Sequence, residues 1–326
     1  MTTIKGTRCA YVIGQFHCEL TMRTLLKNFL LLSSILGTGS LQALPSGAEV
    51  KKLLSTNKKQ PVQSLQLTII GDSISAGALA ATRLGTALSP ELISGIVAAV
   101  MARDPQLFLS ATLSPQSAYP EAQGSWSLKQ LLVDQYKIPT SKLSLDNESA
   151  VGRSMSNVTE KLLKGLDEPK DGSTEHHILL MLGSNDFCQG KSPEGFKEAS
   201  SEVFGRLDRM FPKAKIFVAE VPPIYQLKNF GQEMIFGQVS CEAIQRLYCD
   251  RVYATDAESV NRGYNEGLKK LVAEANKKPG EPRYKFISLP PDLTIDKTLL
   301  SSDCFHPGEE GHKKLAATVV SQMTTP

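Results

Sequence analysis

The sequence predicts an α/β domain with a central parallel sheet of about five strands and helices on both faces. Three observations carry that reading. Short apolar runs recur at 65–70, 142–145, 177–182, 215–220 and 284–289, each of strand length and closed by turn residues. Segments with helical spacing of apolar residues lie between them, and this alternation favours parallel strands joined by crossover helices. The composition, 41% hydrophobic and 21% charged over 326 residues, suits one large core, and no repeat or low-complexity tract interrupts it.

From Met22 the chain has the layout of a secretory leader. Arg23 and Lys27 precede the apolar Phe29–Leu36 core, which holds Ser33 and Ser34, and small residues follow through Gly37–Ser40 and Ala43. That run is short for spanning a bilayer, and a buried helix is its competing reading. Translation is expected to start at Met22 and cleavage to fall between Ser40 and Ala48, which leaves 44–326 as the working domain. Lys5, Arg8, Arg23 and Lys27 against Glu19 account for the whole net charge of +3, so the remainder is neutral and nothing asks for nucleic acid. A secreted or periplasmic protein is expected. Past the leader, Cys188, Cys241, Cys249 and Cys304 allow up to two disulfides in three connectivities, with four buried thiols as the alternative. Cys241 and Cys249 are spaced to close a small loop, whereas a Cys188–Cys304 bridge would tie together two loops described below. No CxxC or His-rich spacing points to a metal, and no organic cofactor is implied.

The elements follow in order. Lys51–Gln60 is a polar, lysine-rich lead-in to the first strand at 65–70. A helical region is expected between Ala78 and Asp104, where Ser89-Pro90-Glu91 offers a start and Leu92, Ile93, Ile96, Val97 and Val100 follow at helical spacing. Residues 104–125 read as a long loop over the site, and Trp126 as a core residue or a groove wall. A helix through Leu128, Leu131, Leu132 and Tyr136 leads to the second strand, Lys142–Leu145, a turn at Gly152, and a helix over Val158–Leu166. The third strand, His177–Leu182, ends in Gly183-Ser184-Asn185-Asp186. A helix over Pro193–Met210 then places Phe196, Ala199, Val203, Leu207 and Met210 on one face. The fourth strand, Lys215–Glu220, is stopped by Pro222-Pro223, and 225–255 reads as irregular. A helix at about 257–277, a strand near Tyr284–Leu289 and a helix from about Gly308 to Met323 complete the chain.

Two stretches carry the chemistry. Gly71-Asp72-Ser73 breaks the first strand abruptly, and Ser73 falls at the carboxyl edge of the sheet, where open α/β sheets place their sites. An N-cap serine in an ordinary βα turn explains this alone equally well. Far along the chain, Ser301-Ser302-Asp303-Cys304-Phe305-His306-Pro307 sets a carboxylate three residues before an imidazole. A nucleophilic serine needs a base for its proton and a carboxylate to hold that base's tautomer, and this loop offers both. Asn185 sits at the same edge and can donate an amide hydrogen to an oxyanion, while Gly152 can present an N–H. His176 and His177 open a buried strand and read as structural.

GDSISAG (71–77), the glycine turn ending at Gly152, LGSND (182–186) and DCFHP (303–307) together resemble the GDSL/SGNH hydrolase family. Within it, Gly124-Ser125-Trp126-Ser127, Asn185-Asp186-Phe187-Cys188 and Asp303-Cys304-Phe305-His306 are most similar to the phospholipase B-like lipases. The resemblance implies Ser73 as nucleophile, His306 as base and then acid, and Asp303 as its orienting partner. It places the oxyanion hole on the Ser73 N–H, the Gly152 N–H and the Asn185 side chain, with Asp72 and Asp186 bracing their loops. Ser75 stands two residues after Ser73, so the motif is not the G-x-S-x-G elbow, which argues for a flavodoxin-like three-layer sandwich, the SGNH hydrolase fold. The implied partner is a small-molecule or lipid ester, with transient membrane-surface contact. The 89–100 helix and the 104–125 loop are the expected acyl groove. A carbohydrate O-acetylesterase on the same scaffold and a non-catalytic exported binding protein are the alternatives.

Overall fold

The computed structural model describes residues 62–77, 127–169, 172–235, 239–278, 280, 282–289 and 295–325. The expected leader, the helix between Ala78 and Asp104, the 104–125 loop and Trp126 lie outside the described residues. Five parallel strands form one sheet. β1 (Ser64–Gly71) lies between β2 (Leu143–Asn147) and β3 (Thr174–Met181), and β3 pairs in turn with β4 (Lys215–Ala219). A separate antiparallel pair follows, β5 (Met234–Ile235) with β6 (Val239–Ser240), before β7 (Tyr284–Ile287) joins the sheet beside β4. Counting only the five sheet strands in chain order, the arrangement is 2-1-3-4-5, a doubly wound order that reverses between β1 and β3. Gly71 is level with Met181 in the register, so the segments leaving β1 and β3 emerge side by side.

The alternation of side chains along each strand builds two cores. Ile70, Ile178, Leu180, Ile216 and Val218 face a core completed by α5 (Pro193–Met210) and α7 (Ala257–Ala275). Leu67, Ile69, Leu179, Met181 and Phe217 face the other, covered by α2 (Leu128–Tyr136) and α8 (Glu309–Met323). Strands apolar on both faces require this three-layer solution, because neither face can be left to water. Ser192 caps α5 by accepting from the Gly195 N–H at 3.1 Å, with Pro193 in the first turn. Phe196, Val203 and Leu207 are fully buried on its inner face, worth about 2 kcal/mol each. Phe196 also stacks on Tyr264 of α7 at 4.1 Å between ring centroids.

The remaining helices are α1 (Ser73–Ala76), α3 (Glu160–Lys164), α4 (Ser184–Cys188) and α6 (Cys241–Cys249). Three expectations need correcting. The helix expected over Val158–Leu166 is only Glu160–Lys164; a 3-10 turn at Met155–Asn157 precedes it, and Thr159 starts it as cap. The stretch 225–255 is ordered: a 3-10 helix over Ile224–Phe230, the β5–β6 pair, α6 and a 3-10 turn at Asp250–Tyr253. α6 buries Cys241, Ile244, Gln245 and Cys249, a helical stripe with a single aliphatic member, so its periodicity is masked by residue type.

The third correction concerns the cysteines, which pair as Cys188–Cys249 and Cys241–Cys304. Cys241 and Cys249 stand at opposite ends of a helix, roughly 12 Å apart by its rise, beyond the reach of one bridge. No bridge joins Cys188 to Cys304; α6 stands between their two loops instead. α6 is bonded at one end to the DCFHP loop and at the other to α4. On the chain-entropy picture each bridge alone, closing a loop of 61 or 63 residues, stabilises the fold by about 4 kcal/mol.

Candidate active site

Ser73 stands at the first position of α1, immediately past the end of β1. Asp72 caps the helix with its carboxylate, accepting from the Ile74 N–H at 3.0 Å. Gly71 is required by crowding: a Cβ there would lie 2.5 Å from the Ser75 Oγ and 2.7 Å from the Ser149 Oγ. The chain can therefore turn out of the strand within two residues and leave the Ser73 hydroxyl at the sheet edge.

His306 reaches that hydroxyl from 233 residues away, its Nε2 lying 3.0 Å from the Ser73 Oγ. Its Nδ1 is 2.6 Å from the Asp303 Oδ2. Both His306 and Asp303 are buried. The other carboxylate oxygen, Oδ1, accepts from the backbone N–H groups of Phe305 and His306, each at 3.0 Å, and from the Ser301 hydroxyl. Burial pushes the Asp303 carboxyl up, but the adjacent imidazole and these hydrogen bonds outweigh it and hold the group below the ordinary carboxylate range. Its carboxylate meets the edge of the imidazole at Nδ1.

Residues of α6 and of the DCFHP loop complete the enclosure. Tyr248 of α6 and Phe305 both meet the His306 ring edge to face, at 5.5 and 5.1 Å between centroids. Burial, and then the Asp303 charge, raise the Tyr248 phenol above its ordinary value, so it stays neutral. Cys304 holds a left-handed conformation, φ 59°, which lets the loop fold back so that His306 meets Asp303. Gln245 of α6 donates to the Cys304 carbonyl at 3.1 Å and to the Leu227 carbonyl at 2.9 Å, while its own oxygen accepts from the Tyr253 hydroxyl at 2.6 Å. Tyr248 and Gln245 lay in the stretch read as irregular.

The third and fourth pieces sit against the same edge. The Ala150 N–H donates to the Gly71 carbonyl at 3.2 Å, and the Asn147 amide donates to the Ser75 carbonyl at 3.1 Å, so the 147–152 turn packs on the Ser73 turn. Gly152, φ 74°, reverses the chain, and the next carbonyl, Arg153, accepts from the Asn185 side-chain amide at 3.0 Å. One hydrogen of that amide is committed to this turn. Asp186 is buried and braces the same junction: it accepts from the Met155 N–H at 2.7 Å and pairs with Lys191 at 2.6 Å. His176 and His177 lie at the opposite end of β3, bonded to Thr68 and Glu175, consistent with a structural role. Burial, and then His177, lower the His176 imidazole to about 4. Among the described residues no cluster of His, Cys, Asp or Glu could hold a metal ion.

Asp72 carries a measurable consequence. Burial pushes its carboxyl up to about 6, against the pull of the Ile74 N–H and the His306 imidazole. A carboxyl raised in the fold contributes stability below its unfolded value, 3.8, and loses it as pH rises through the folded value. Asp72→Asn keeps an acceptor for Ile74 and removes the buried charge. It is therefore expected to raise stability at pH 8 by up to about 3 kcal/mol, with the gain gone below about pH 4. Denaturant unfolding at both pH values checks this, and an equal gain at both would refute it.

Residues 67–319 match the family model described as GDSL-like Lipase/Acylhydrolase. Among solved structures, the chain is similar to the psychrotrophic esterase EstA from a Pseudoalteromonas species, at 13% identity and a TM-score of 0.45, over 79% of this chain and 96% of that one. A member of the lipolytic G-D-S-L family from Veillonella parvula is similar at 14% identity and a TM-score of 0.43, over 81% and 100%. A family two carbohydrate esterase from Clostridium thermocellum is similar at 14% identity and 0.44, over 81% of this chain and 64% of that one. No curated protein sequence matches.

Proposed function

This chain belongs to the GDSL-like lipase/acylhydrolase family and is an ester hydrolase; on that premise we propose that Ser73 is its nucleophile, His306 its general base and then acid, and Asp303 the carboxylate that orients the imidazole. The observation carrying this is the unbroken chain Ser73 Oγ, His306 Nε2, His306 Nδ1, Asp303 Oδ2, at 3.0 and 2.6 Å. The Asp303 anion accepts the Nδ1–H and leaves the Nε2 lone pair facing the hydroxyl. His306 takes the Ser73 proton as Oγ attacks the ester carbonyl. It returns that proton to the leaving alkoxide, and the same cycle with water releases the acid.

The developing oxyanion is received by the Ser73 N–H, the Gly152 N–H and the second hydrogen of the Asn185 amide. The bond from Asn185 to the Arg153 carbonyl supports this by setting that amide against the Gly152 turn. One such donor is worth about 3 kcal/mol in the transition state. Asp72 and Asp186 act as braces.

The substrate in this reading is a lipid or phospholipid acyl ester, met through transient contact with a membrane surface, and the finer placement is with phospholipase B-like lipases. The aromatic, largely apolar setting of the imidazole supports an acyl substrate over a hydroxyl-rich one. Residues 44–326 form the hydrolase domain, exported after removal of a leader; two disulfides suit an oxidising compartment. A release assay decides the substrate class: fatty acid from phospholipid vesicles is expected to exceed acetate from acetylated oligosaccharide. The reverse order assigns a carbohydrate O-acetylesterase. Failure to react with a serine-directed phosphonate would revive the alternative of a non-catalytic exported binding protein.

A further inference from the structure

One face of α6 meets three consecutive residues of the DCFHP loop. Cys241, Gln245 and Tyr248 stand at i, i+4 and i+7, which a helix sets in a single stripe. Cys241 is bonded to Cys304, and Gln245 donates to the Cys304 carbonyl at 3.1 Å. The Tyr248 ring packs on Phe305 and His306, at 5.2 and 5.5 Å between centroids. Cys304 needs such support: its φ of 59° is left-handed, a conformation that a residue with a Cβ keeps only where its surroundings fix it.

The peptide between Cys304 and Phe305 links this stripe to the triad. It is a rigid plane, with the Cys304 carbonyl at one edge and the Phe305 N–H at the other. That N–H donates to the Asp303 Oδ1 at 3.0 Å, and the Asp303 Oδ2 meets the His306 Nδ1 at 2.6 Å. The plane cannot turn while Gln245 holds its oxygen. Gln245 is itself wholly buried and fixed, donating also to the Leu227 carbonyl at 2.9 Å and accepting from the Tyr253 hydroxyl at 2.6 Å.

We propose that Gln245 is a positioning residue for the base: it fixes the 304–305 peptide and, through the Phe305 N–H, the carboxylate that orients His306. The proposal rests on the reading of Ser73, His306 and Asp303 as the triad. Both amide hydrogens of Gln245 are committed to protein carbonyls, so its loss is felt in proton transfer and not in binding. Without that amide the plane turns to relieve the left-handed residue. Asp303 Oδ1 then keeps only the His306 N–H and the Ser301 hydroxyl, while the Cys241–Cys304 bond still holds the loop on α6.

The test measures kcat and KM on a p-nitrophenyl ester, thermal unfolding, and the low-field proton resonance of the His306 Nδ1–H, all in the full chain. Gln245→Met keeps length and volume but removes both donors; it is expected to lower kcat by about 10- to 100-fold, with KM within about twofold. The Nδ1 resonance should move upfield or broaden away, which a loss of packing alone would not cause. Tyr253→Phe removes the other partner of Gln245 and should lower the unfolding temperature while kcat and the resonance stay in place. Gln245→Glu keeps the acceptor for Tyr253 and offers at most one proton to two carbonyls, so it should lose kcat in the same direction. A folded Gln245 variant with parental kcat and resonance overturns the proposal, as does an equal kcat loss in Tyr253→Phe. If neither Gln245 variant folds, the residue serves the fold and the proposal fails. Turnover retained by Ser73→Ala is a different failure: it removes the triad reading itself.

Discussion

Ser73→Ala is expected to lower kcat on a p-nitrophenyl ester by about 10⁴- to 10⁶-fold, with the fold intact. The magnitude follows from the loss of the covalent route, since His306 then has no hydroxyl to deprotonate and only residual oxyanion binding remains. The structural cost is small. The Ser73 side chain makes one hydrogen bond, to His306 at 3.0 Å, and α1 is capped by Asp72 rather than by Ser73. Losing that bond amounts to about 1 kcal/mol, which thermal unfolding of the variant measures alongside activity. Undiminished turnover in a folded variant would dismiss Ser73.

Asp303→Asn is expected to cost about 10⁴-fold in kcat while leaving KM close to its starting value. The argument is one of donors. Oδ1 already accepts from two backbone N–H groups and from Ser301, so an asparagine oxygen has to occupy that position. Its NH₂ then faces His306 Nδ1, 2.6 Å away in the parent, where it can only donate. That forces the imidazole proton onto Nε2, the nitrogen beside Ser73, and a protonated nitrogen cannot accept the serine proton. Asp303 is held below the ordinary carboxylate range, so its contribution to stability is present above 3.8 and fades as pH falls through the folded value. The stability difference between parent and variant should therefore shrink in acid, whereas the kinetic defect persists at neutral pH. A raised KM with kcat preserved would show that Asp303 serves binding instead.

Much of the fold is legible in the sequence. The run at 177–182 declares its strand because burial on both faces leaves it almost continuously apolar, whereas 65–70 carries Gln66 and Thr68 between its apolar residues and is marked by Leu65, Leu67, Ile69 and Ile70 and the break at Gly71. Pro193–Met210 declared its helix through a proline at the start and an apolar residue at nearly every turn. α6 stays hidden because its buried stripe is Cys241, Ile244, Gln245 and Cys249, so a single aliphatic residue marks the face. The Arg153 carbonyl as partner of Asn185 was also invisible, since a backbone acceptor has no residue signature.

By itself the sequence determined the layers and the sheet's parallel sense, and it nominated the residues proposed as nucleophile, base and orienting acid, because strand and helix periods and residue chemistry are local properties. The tertiary structure alone decided which cysteines meet, that α6 is bonded to two site loops, and that Gln245 reaches the Cys304 carbonyl. Those are contacts between segments tens to hundreds of residues apart, and no local pattern encodes which distant surface a side chain will find. The 3.0 Å approach of His306 to Ser73 belongs to both: the pair was nominated by chemistry and joined by the 2-1-3-4-5 sheet with its bonded loops.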